Sequence, residues 1–257
     1  MNCLSFELET PYLVNFRKPF STITLLSYSF PPYTTIRGLL ANSLGLERDD
    51  YSLQDKFEIS LKPLNEPGKS QNMVLMKKLK SNLNKNEKDI NKKVENNNGD
   101  SSILGDEERI IFERLKHIRS SSAPFIKEYI TPMLCKIFVL GGENDMDELR
   151  QALEDPARPL YIGASDDFVI IRNMKLFNAK ETKSDKIDSI IRLNDKVEPL
   201  DKRRIIGRVP YKFAAINIKK RDYCREDAVV AAPKPGAKLE MNEPVICYEI
   251  GDEYVSF

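Results

Sequence analysis

Residues 16–20 read FRKPF and residues 28–40 read YSFPPYTTIRGLL, and these two pieces are the most informative part of the chain. They lie within a run of 37 residues, Thr10 to Leu46, that contains no Asp or Glu, although the chain has 39 acidic residues in 257. By composition alone, about five or six carboxylates would fall in such a run. Phosphate oxygens accept hydrogen bonds from Arg, Lys, hydroxyl and amide groups, and nucleobases stack on aromatic rings. The run therefore predicts a surface that meets a polyanionic backbone.

A strand and a helix flank this run. Residues 3–9 alternate in places between apolar and polar side chains and contain no breaker, which is typical of an opening strand. After a loop that ends in two prolines, Thr34 or Thr35 can cap a helix. The apolar residues of that helix share one face: Ile36, Leu39, Leu40 and Leu44. Gly45 is predicted to end the helix as its C′ residue.

The remainder of the chain alternates between predicted strands and helices. Strands are predicted at 135–140, 160–163, 168–171, 244–250 and 253–257. A helix is predicted at 144–153, where Asp145 and Glu148 would form a start similar to a capping box. Because no glycine-rich phosphate loop follows a strand, the pattern favours an α+β domain over a nucleotide-binding fold.

Residues 77–98 differ in kind, because 14 of these 22 positions are Lys or Asn. A thin amphipathic helix is one interpretation, marked by Leu75, Leu79, Leu83, Ile90 and Val94. A mobile insertion is favoured, because such a sequence buries too little apolar surface to offset the entropy of ordering.

A second acid-free run extends from Lys202 to Arg221 and holds eight basic residues. Tyr211 and Phe213 are interleaved among them. In the first run, basic and aromatic residues on the predicted strand, loop and helix favour binding of single-stranded RNA.

The composition predicts a soluble, globular, cytoplasmic protein. The formal net charge is only +1, so binding to nucleic acid has to come from local patches. The four cysteines are far apart and form no CxxC pair, which favours buried, reduced thiols over zinc or disulfides. No signal peptide opens the chain and no apolar run approaches membrane-spanning length, so we expect no membrane partner. We also expect neither a cofactor nor a metal.

Catalysis has little support in the residue types present. Nucleases and hydrolases need positioned acid–base or metal groups, and the chain has one histidine, His117. His117 could act as a base on a ribose 2′-hydroxyl, with Lys116 or Tyr129 stabilising charge. If residues 109–117 form a strand, however, Lys116 and His117 point to opposite faces and do not converge. A surface or RNA-contacting role for His117 is favoured.

In these residues the chain resembles the fifth CRISPR-associated (Cas) protein family, in the repeat-associated RAMP superfamily. Residues 16–40 are similar to the family signature F-x-K-P-Y-T-T … Y-P-x-P-P-R-T-x-x-x-G-L. Residues 128–130 look like its E-[FYL]-L element, within a strand pair over 109–139, and residues 159–165 look like its P-x-Y-L-G-x-S turn.

The resemblance implies an α+β fold with a ferredoxin-like (RRM-type) core and a β-hairpin thumb over residues 1–180, an insertion at about 62–108, and a small C-terminal β-rich region at 181–257. It implies binding of the 5′ handle of the CRISPR RNA. The protein would then cap one end of a type I Cascade surveillance complex, beside the backbone subunit of Cas family seven and the large subunit. A metal-independent endoribonuclease that uses His117 and an RNA-independent scaffold stay open as alternatives.

The candidate RNA-binding residues are basic, amide, hydroxyl or aromatic: Asn15, Phe16, Arg17, Lys18, Tyr28, Thr34, Thr35, Arg37, Arg114, Arg119, Arg203, Arg204 and Arg208. Arg17, Lys18 and Arg37 are expected on one exposed surface, because no carboxylate within the first acid-free run can neutralise them. Two positions depart from the family pattern. Tyr33 stands where the family usually has Arg or another polar residue, and Arg37 occupies a site often filled by an aliphatic one.

Overall fold

The computed structural model describes residues 1–18, 24–47, 50–77, 85–119, 122–164, 167–194, 197–217 and 222–257. The strands are β1 (Asn2–Thr10), β2 (Thr24–Leu25), β3 (Glu58–Pro63), β4 (Gly68–Lys77), β5 (Ser122–Thr131), β6 (Met133–Gly141), β7 (Ile170–Asn178), β8 (Lys180–Ile187), β9 (Ile191–Arg192), β10 (Ile205–Asn217), β11 (Asp222–Ala231), β12 (Leu239–Ile250) and β13 (Glu253–Val255). The helices are α1 (Tyr33–Ser43), α2 (Leu53–Lys56), α3 (Lys85–Asn96), α4 (Asp106–Arg119) and α5 (Glu143–Glu154), with a 3-10 turn at Lys202–Arg204. The chain divides into two compact units: the larger comprises Met1–Phe20, Leu26–Ser70 and Glu128–Phe257, and the smaller Ser21–Leu25 and Gln71–Lys127.

The larger unit contains a four-stranded antiparallel sheet with the order β3-β6-β1-β7. The chain enters it as β1, passes through α1 to β3, returns along β6 and passes through α5 to β7. β1 is paired on both sides, with β6 from Asn2↔Gly141 to Thr10↔Met133 and with β7. The strand predicted at 3–9 is therefore confirmed as a central strand, and the strand predicted at 135–140 is confirmed as β6.

Both faces of β1 are buried. Leu4, Phe6 and Leu8 belong to the main core, together with apolar residues of α1 and α5. Cys3 belongs to a second cluster with residues of β6, β12 and β13, among them Phe138. Because successive side chains of a strand point to opposite faces, helices cover one face of the sheet and C-terminal strands cover the other.

The N-terminus of α1 has no side-chain cap. The N-cap residue is Pro32, which makes no side-chain cap hydrogen bond. Its carbonyl accepts the N–H groups of Thr35 at 2.9 Å and Ile36 at 3.1 Å. The prediction that Thr34 or Thr35 caps this helix is wrong, because both residues already lie within its first turn.

The C-terminus of α1 ends as predicted at Gly45, which has a φ of +69°. The N–H of Gly45 donates to the Asn42 carbonyl at 3.3 Å, and the N–H of Leu46 donates to the Ala41 carbonyl at 3.0 Å. These two bonds form a Schellman motif, which satisfies helix carbonyls that would otherwise lack partners.

α5 and the C-terminal hairpin follow the prediction, with two corrections. α5 confirms the helix at 144–153, but its N-cap is Gly142 without a side-chain hydrogen bond. The proposed capping box is wrong, because Asp145 and Glu148 lie inside the helix. Residues 160–163 form no strand and contribute one isolated bridge, between Tyr161 and Phe168. β12 and β13 confirm the two C-terminal strands, which are antiparallel.

The smaller unit has an apolar cluster of its own. Ile90 and Val94 of α3 are 1% and 4% exposed, and they pack with Leu104 and Phe112. The interpretation of 77–98 as a mobile insertion is therefore wrong for the α3 segment, where the amphipathic-helix alternative holds. Only two apolar residues of α3 reach this cluster, so the helical periodicity of this segment is weak in the sequence.

Two further expectations concern this unit. Leu79 and Leu83 lie outside the described residues. Residues 109–117 lie in α4, so the strand expected there is wrong, and the part of the family-like strand pair before β5 is helical.

Five charged side chains form an ion-pair network between the central sheet and the C-terminal strands. Lys62 Nζ lies 2.8 Å from Glu253 Oε1 and 3.3 Å from Asp188 Oδ1. Lys136 pairs with the other oxygen of Glu253, and Lys238 lies 3.1 Å from Asp188 Oδ2. The network joins β3 and β6 to β13 by charge as well as by apolar contact.

The carboxyl groups of this network have lowered pKa values. Burial alone would raise the pKa of Glu253, but hydrogen bonds from Lys136 and Lys62 outweigh burial and hold the pKa below its ordinary value. Burial also opposes ionisation of Asp188, whose pKa is nevertheless lowered by hydrogen bonds from the Tyr254 N–H and Lys238. The resulting stabilisation is complete above the unfolded-state pKa of about 4 and is lost as the pH falls through the lower folded-state pKa.

We predict that Glu253→Gln lowers the free energy of unfolding by about 1–3 kcal/mol at neutral pH, because two partly buried lysines lose their charged partner. Thermal melting as a function of pH measures this. The wild-type melting temperature should fall more steeply than that of the variant below about pH 4. Glu249→Gln, an exposed position on β12, is the matched control. Parallel pH profiles for wild type and Glu253→Gln would contradict the role assigned to this network.

Candidate nucleic-acid interface

The basic ladder, residues 15–18 and 26–28, is a pair of short antiparallel segments within the first acid-free run. The Lys18 N–H donates to the Leu26 carbonyl at 2.8 Å, and the Tyr28 N–H donates to the Phe16 carbonyl at 2.9 Å. Between these bonds Arg17 is bridged to a serine of the other segment. Because side chains alternate along such a pair, Phe16 lies in the core while Arg17 is exposed.

Glu128 of β5 holds the basic ladder in place through its backbone and its side chain. Asn15 Nδ2 donates to the Glu128 carbonyl at 2.6 Å, and Glu128 Oε1 accepts the Ser27 N–H at 3.0 Å. Glu128 is 8% exposed, and Lys69 Nζ lies 3.4 Å from the same oxygen. A buried carboxylate with these partners fixes the position of the ladder, so we regard Glu128 as a positioning residue.

The aromatic residues of the ladder support it from the core. Phe16 and Tyr28 are only 3% and 5% exposed, and burial raises the pKa of the Tyr28 hydroxyl. Neither ring exposes a face on which a base could stack. The expectation that Phe16 and Tyr28 stack on bases of RNA therefore does not agree with their burial. Lys18 Nζ lies 5.4 Å from the centroid of the Tyr28 ring, a cation–π contact.

Arg37 does not share the surface of Arg17 and Lys18. It is 7% exposed, so the prediction that all three lie on one exposed surface is wrong for Arg37. Its Nη1 donates to the Tyr211 carbonyl of β10, and its guanidinium carbon lies 5.1 Å from the centroid of the Tyr211 ring. Arg37 is buried because β10 packs on α1, and this contact joins the two acid-free runs. It covers a position that the family often fills with an aliphatic residue.

Tyr211 is surrounded by cations. Arg192 and Lys212 lie 4.3 Å and 5.4 Å from its ring centroid, in addition to Arg37. The Tyr211 hydroxyl donates to Glu58 Oε2 at 3.3 Å, and the same oxygen lies 3.8 Å from Arg192. Burial lowers the pKa of Arg37. Its Nε and Nη2 are buried and have no hydrogen-bond partner in the part of the chain that the structure describes.

A cavity of about 290 Å³, here called the α1 cavity, lies beside Arg37. Its lining includes Thr34, Arg37, Gly38, Asn42, Tyr51 and Phe213. Gly38 is exposed within the helix, and a Cβ atom added there would meet no atom within 4 Å. Glycine in a helix costs about 1 kcal/mol relative to alanine, and no close neighbour in the described chain requires it.

Two basic residues of the second run lie near the end of the ladder sequence. Arg203 and Arg204 line a cavity of about 250 Å³ together with Ser29 and Phe30. Asp201 lies 3.0 Å from Arg203 and 3.4 Å from Arg204, so part of their charge is neutralised.

The other candidates are placed separately. Arg208 is exposed on β10 and Thr35 is half-buried on α1. Arg114 is exposed on α4, and the side chains of Arg119 and His117 lie outside the described residues.

The expected geometry around His117 is also corrected. Lys116 lies on a helix, donates to Glu113 at 2.7 Å and lies 4.9 Å from the centroid of the Phe112 ring. The expectation that Lys116 and His117 point to opposite faces of a strand is therefore wrong in its premise.

The structure adds residues that sequence reasoning did not select. Tyr211, Phe213 and Arg192 surround the buried Arg37 and the α1 cavity. The first two were visible as aromatic residues of the second acid-free run, but nothing in the sequence indicated that this run packs on α1. Arg192 carried no signal.

Three further features of the described residues concern other classes of site. Within the described ranges, no group of three or more His, Cys, Asp or Glu side chains could hold a metal ion. No helix in these ranges combines the length and apolarity that a bilayer crossing requires. Cys3, Cys135 and Cys247 are buried free thiols as expected, whereas Cys224 is exposed.

Comparison with known proteins identifies relatives of this architecture. A model of the family described as CRISPR-associated protein (Cas_Cas5) matches residues 3–199. A solved chain of a "CRISPR RNA-guided surveillance complex" is similar with a TM-score of 0.52 at 11% identity, over 97% of this chain and 95% of that chain. A crystal structure of a CRISPR protein from Archaeoglobus fulgidus gives a TM-score of 0.48 at 15% identity, over 99% and 98% of the two chains. No curated protein matches the sequence.

We predict that Arg37→Ala lowers the free energy of unfolding by about 2–5 kcal/mol, because it opens a cavity and leaves the Tyr211 carbonyl without its donor. Chemical denaturation measures the loss. Arg208→Ala removes an exposed arginine from the same strand as Tyr211, and it should change stability by no more than about 0.5 kcal/mol. An equally small effect of Arg37→Ala would mean that the contact between α1 and β10 does not depend on this side chain.

Proposed function

We propose that this chain, which belongs to the CRISPR-associated Cas5 family, is a non-catalytic subunit that binds the 5′ handle of the CRISPR RNA. In this proposal it caps one end of a type I Cascade complex in the cytoplasm, beside the backbone subunit of Cas family seven and the large subunit. The observation that carries the proposal is the basic ladder, which presents Arg17 and Lys18 from a fixed backbone inside the region that the family model matches.

The topology supports a ferredoxin-like core for this function. Counted along the chain, β1, β3, β6 and β7 are the four strands of a β-α-β-β-α-β unit, and their order in the sheet is 2-3-1-4. Read from the other edge this is 4-1-3-2, the arrangement of a ferredoxin-like fold. RRM modules use sheets of this kind to bind RNA. Here both faces of β1 are covered, so we infer that RNA binds at the ladder and not on the sheet surface.

Electrostatics also favour a local contact. The net charge of +1 creates no general attraction for RNA. An exposed arginine and a half-buried lysine on adjacent positions offer donors to neighbouring phosphates. Hydrogen bonds through Glu128 hold the segments whose backbone carries these side chains, which reduces the entropy lost when RNA binds.

We predict that Arg17→Ala/Lys18→Ala weakens binding of the repeat RNA of the host locus and reduces its salt dependence. For single-stranded RNA, the slope of log affinity against log salt should fall by about 0.7 for each lost phosphate contact. Fluorescence anisotropy at several salt concentrations measures both quantities. Arg150→Ala/Lys175→Ala removes the same charge from exposed positions on α5 and β7 and is the matched control. An unchanged slope for the ladder variant would refute the proposed site.

The non-catalytic part of the proposal has its own test. Incubation of the protein with end-labelled repeat RNA in EDTA should leave the RNA intact. General-base cleavage needs a base with a pKa near neutral beside a charge-stabilising group, and the sequence contains one histidine, His117, for that role. Specific cleavage by the wild-type protein that is lost in His117→Ala would show instead that the protein is a metal-independent endoribonuclease. Absence of both binding and cutting would favour an RNA-independent scaffold.

A further inference from the structure

We propose that the α1 cavity receives one unstacked nucleobase of single-stranded RNA. The inference rests on the proposed function, because it assumes that RNA is bound and specifies which part of the RNA enters the cavity. At about 290 Å³ the cavity lies near the lower limit of small-molecule sites, which begin at about 300 Å³. It therefore suits one planar ring system rather than a stack of several.

Gly38 is the first observation that points to a ligand. It is exposed on the cavity-facing side of α1, and a Cβ atom at this position would meet nothing within 4 Å. Helix interiors disfavour glycine unless something must approach the backbone closely. No described residue of the chain makes that approach, so a group from outside the chain is the natural occupant.

The aromatic wall of the cavity is the second observation. Phe213 is half-buried, and its backbone is fixed by Gln54, which donates to the Phe213 carbonyl at 2.8 Å and accepts its N–H at 3.1 Å. Tyr51 lies beside Phe213 with ring centroids 5.6 Å apart. A fixed aromatic ring at the edge of a cavity is the usual platform for an unstacked base.

The charges of the lining favour a base over a phosphate. Arg37 and Arg158 carry positive charge, whereas Glu47 and Asp50 are exposed carboxylates. The Arg158 guanidinium is engaged, because it donates to the carbonyls of Leu46 at 2.8 Å and of the preceding glycine at 3.2 Å. The carboxylates would repel a phosphate, but they accept hydrogen bonds from the amino or imino groups of a base.

Arg37 supplies the complementary donors. Its Nε and Nη2 lack partners within the described ranges and are inaccessible to solvent, so neither atom faces the open space of the cavity. A rotation of the guanidinium toward the cavity would let these donors bind carbonyl and ring-nitrogen acceptors on a base edge. In that orientation the cavity would offer donors on one side and acceptors on the other, as the edge of a base requires.

The test compares two ligands of equal backbone charge: a twelve-nucleotide oligoadenylate and a twelve-unit abasic ribose-phosphate strand. Stacking of one base contributes a factor of about 5 to 100 in affinity. The wild-type protein should prefer the oligoadenylate by a factor in this range. Gly38→Leu, which fills the cavity from an open position, should abolish the preference, and Gly38→Ala, which adds only a Cβ atom, should reduce it. Phe213→Leu, which keeps apolar volume but removes the planar ring, should lose it as well.

Each result has a distinct meaning. Equal binding of the two strands by the wild type, or an unchanged preference in both Gly38→Leu and Phe213→Leu, overturns the inference while binding of repeat RNA leaves the proposed function intact. Failure of the wild type to bind any RNA, including repeat RNA, overturns the proposed function and the inference together. If Gly38→Leu instead blocks assembly with a protein partner and leaves the preference unchanged, the occupant is a protein segment and the inference is wrong. Melting temperatures establish that the variants are folded.

Discussion

The burial of the Arg37 guanidinium against Tyr211 is the constraint on which the arrangement of the larger unit depends. A buried cation is costly unless it is solvated by the protein, and here a carbonyl and an aromatic ring of β10 supply that solvation. The helix α1 can therefore keep this residue only while β10 lies against it. Two runs of sequence that both lack carboxylates are joined in this way, and Glu58 supplies a nearby negative charge through the Tyr211 hydroxyl. Arg37 also lines the α1 cavity, together with Phe213 of β10.

The absence of carboxylates in the first run consequently has two physical causes. At Arg17 the side chain is exposed, and under the proposed function a carboxylate close by in the sequence would weaken its attraction for phosphate. At Arg37 the side chain is buried, and its nearest polar partner is a carbonyl from a distant strand. Composition registers both situations as the same pattern, so it could not separate a surface arginine from a core arginine. Burial depends on which element covers a residue, and that is a property of the tertiary fold.

The same distinction explains which parts of the fold could be predicted. Four features were predictable from the sequence: β1, β6, α5 and the end of α1 at Gly45. Each depends on local sequence, either on the spacing of apolar residues or on a glycine that adopts a positive φ. The N-caps were not predictable. The N-cap residues are Pro32 and Gly142, which make no side-chain cap hydrogen bond, and the residues expected to cap lie inside the helices. α3 was misjudged because its burial depends on two apolar residues that find partners in and before α4. The strand order required knowledge of pairings between residues more than a hundred positions apart. For the candidate site, neither the pairing of residues 15–18 with 26–28 nor its support by Glu128, 101 residues from Ser27, could be predicted from the sequence.

In the proposed function and the further inference, the ladder and the cavity would recognise different properties of one RNA chain. Contacts from exposed Arg or Lys to phosphate weaken as salt rises and carry no base information. Stacking of a base on an aromatic ring needs no charged partner and distinguishes a base from its absence. The fold keeps the two functions on different supports, since the ladder is held by β5 through Glu128 and the cavity by α1 and β10 through Arg37 and Gln54. Substitutions that disturb the ladder should leave the cavity intact, and the reverse should also hold. Among the described residues, the hydrogen bonds named here for the ladder and those named for the cavity involve different residues. If the protein binds RNA as proposed, its affinity and its dependence on a base can therefore change independently.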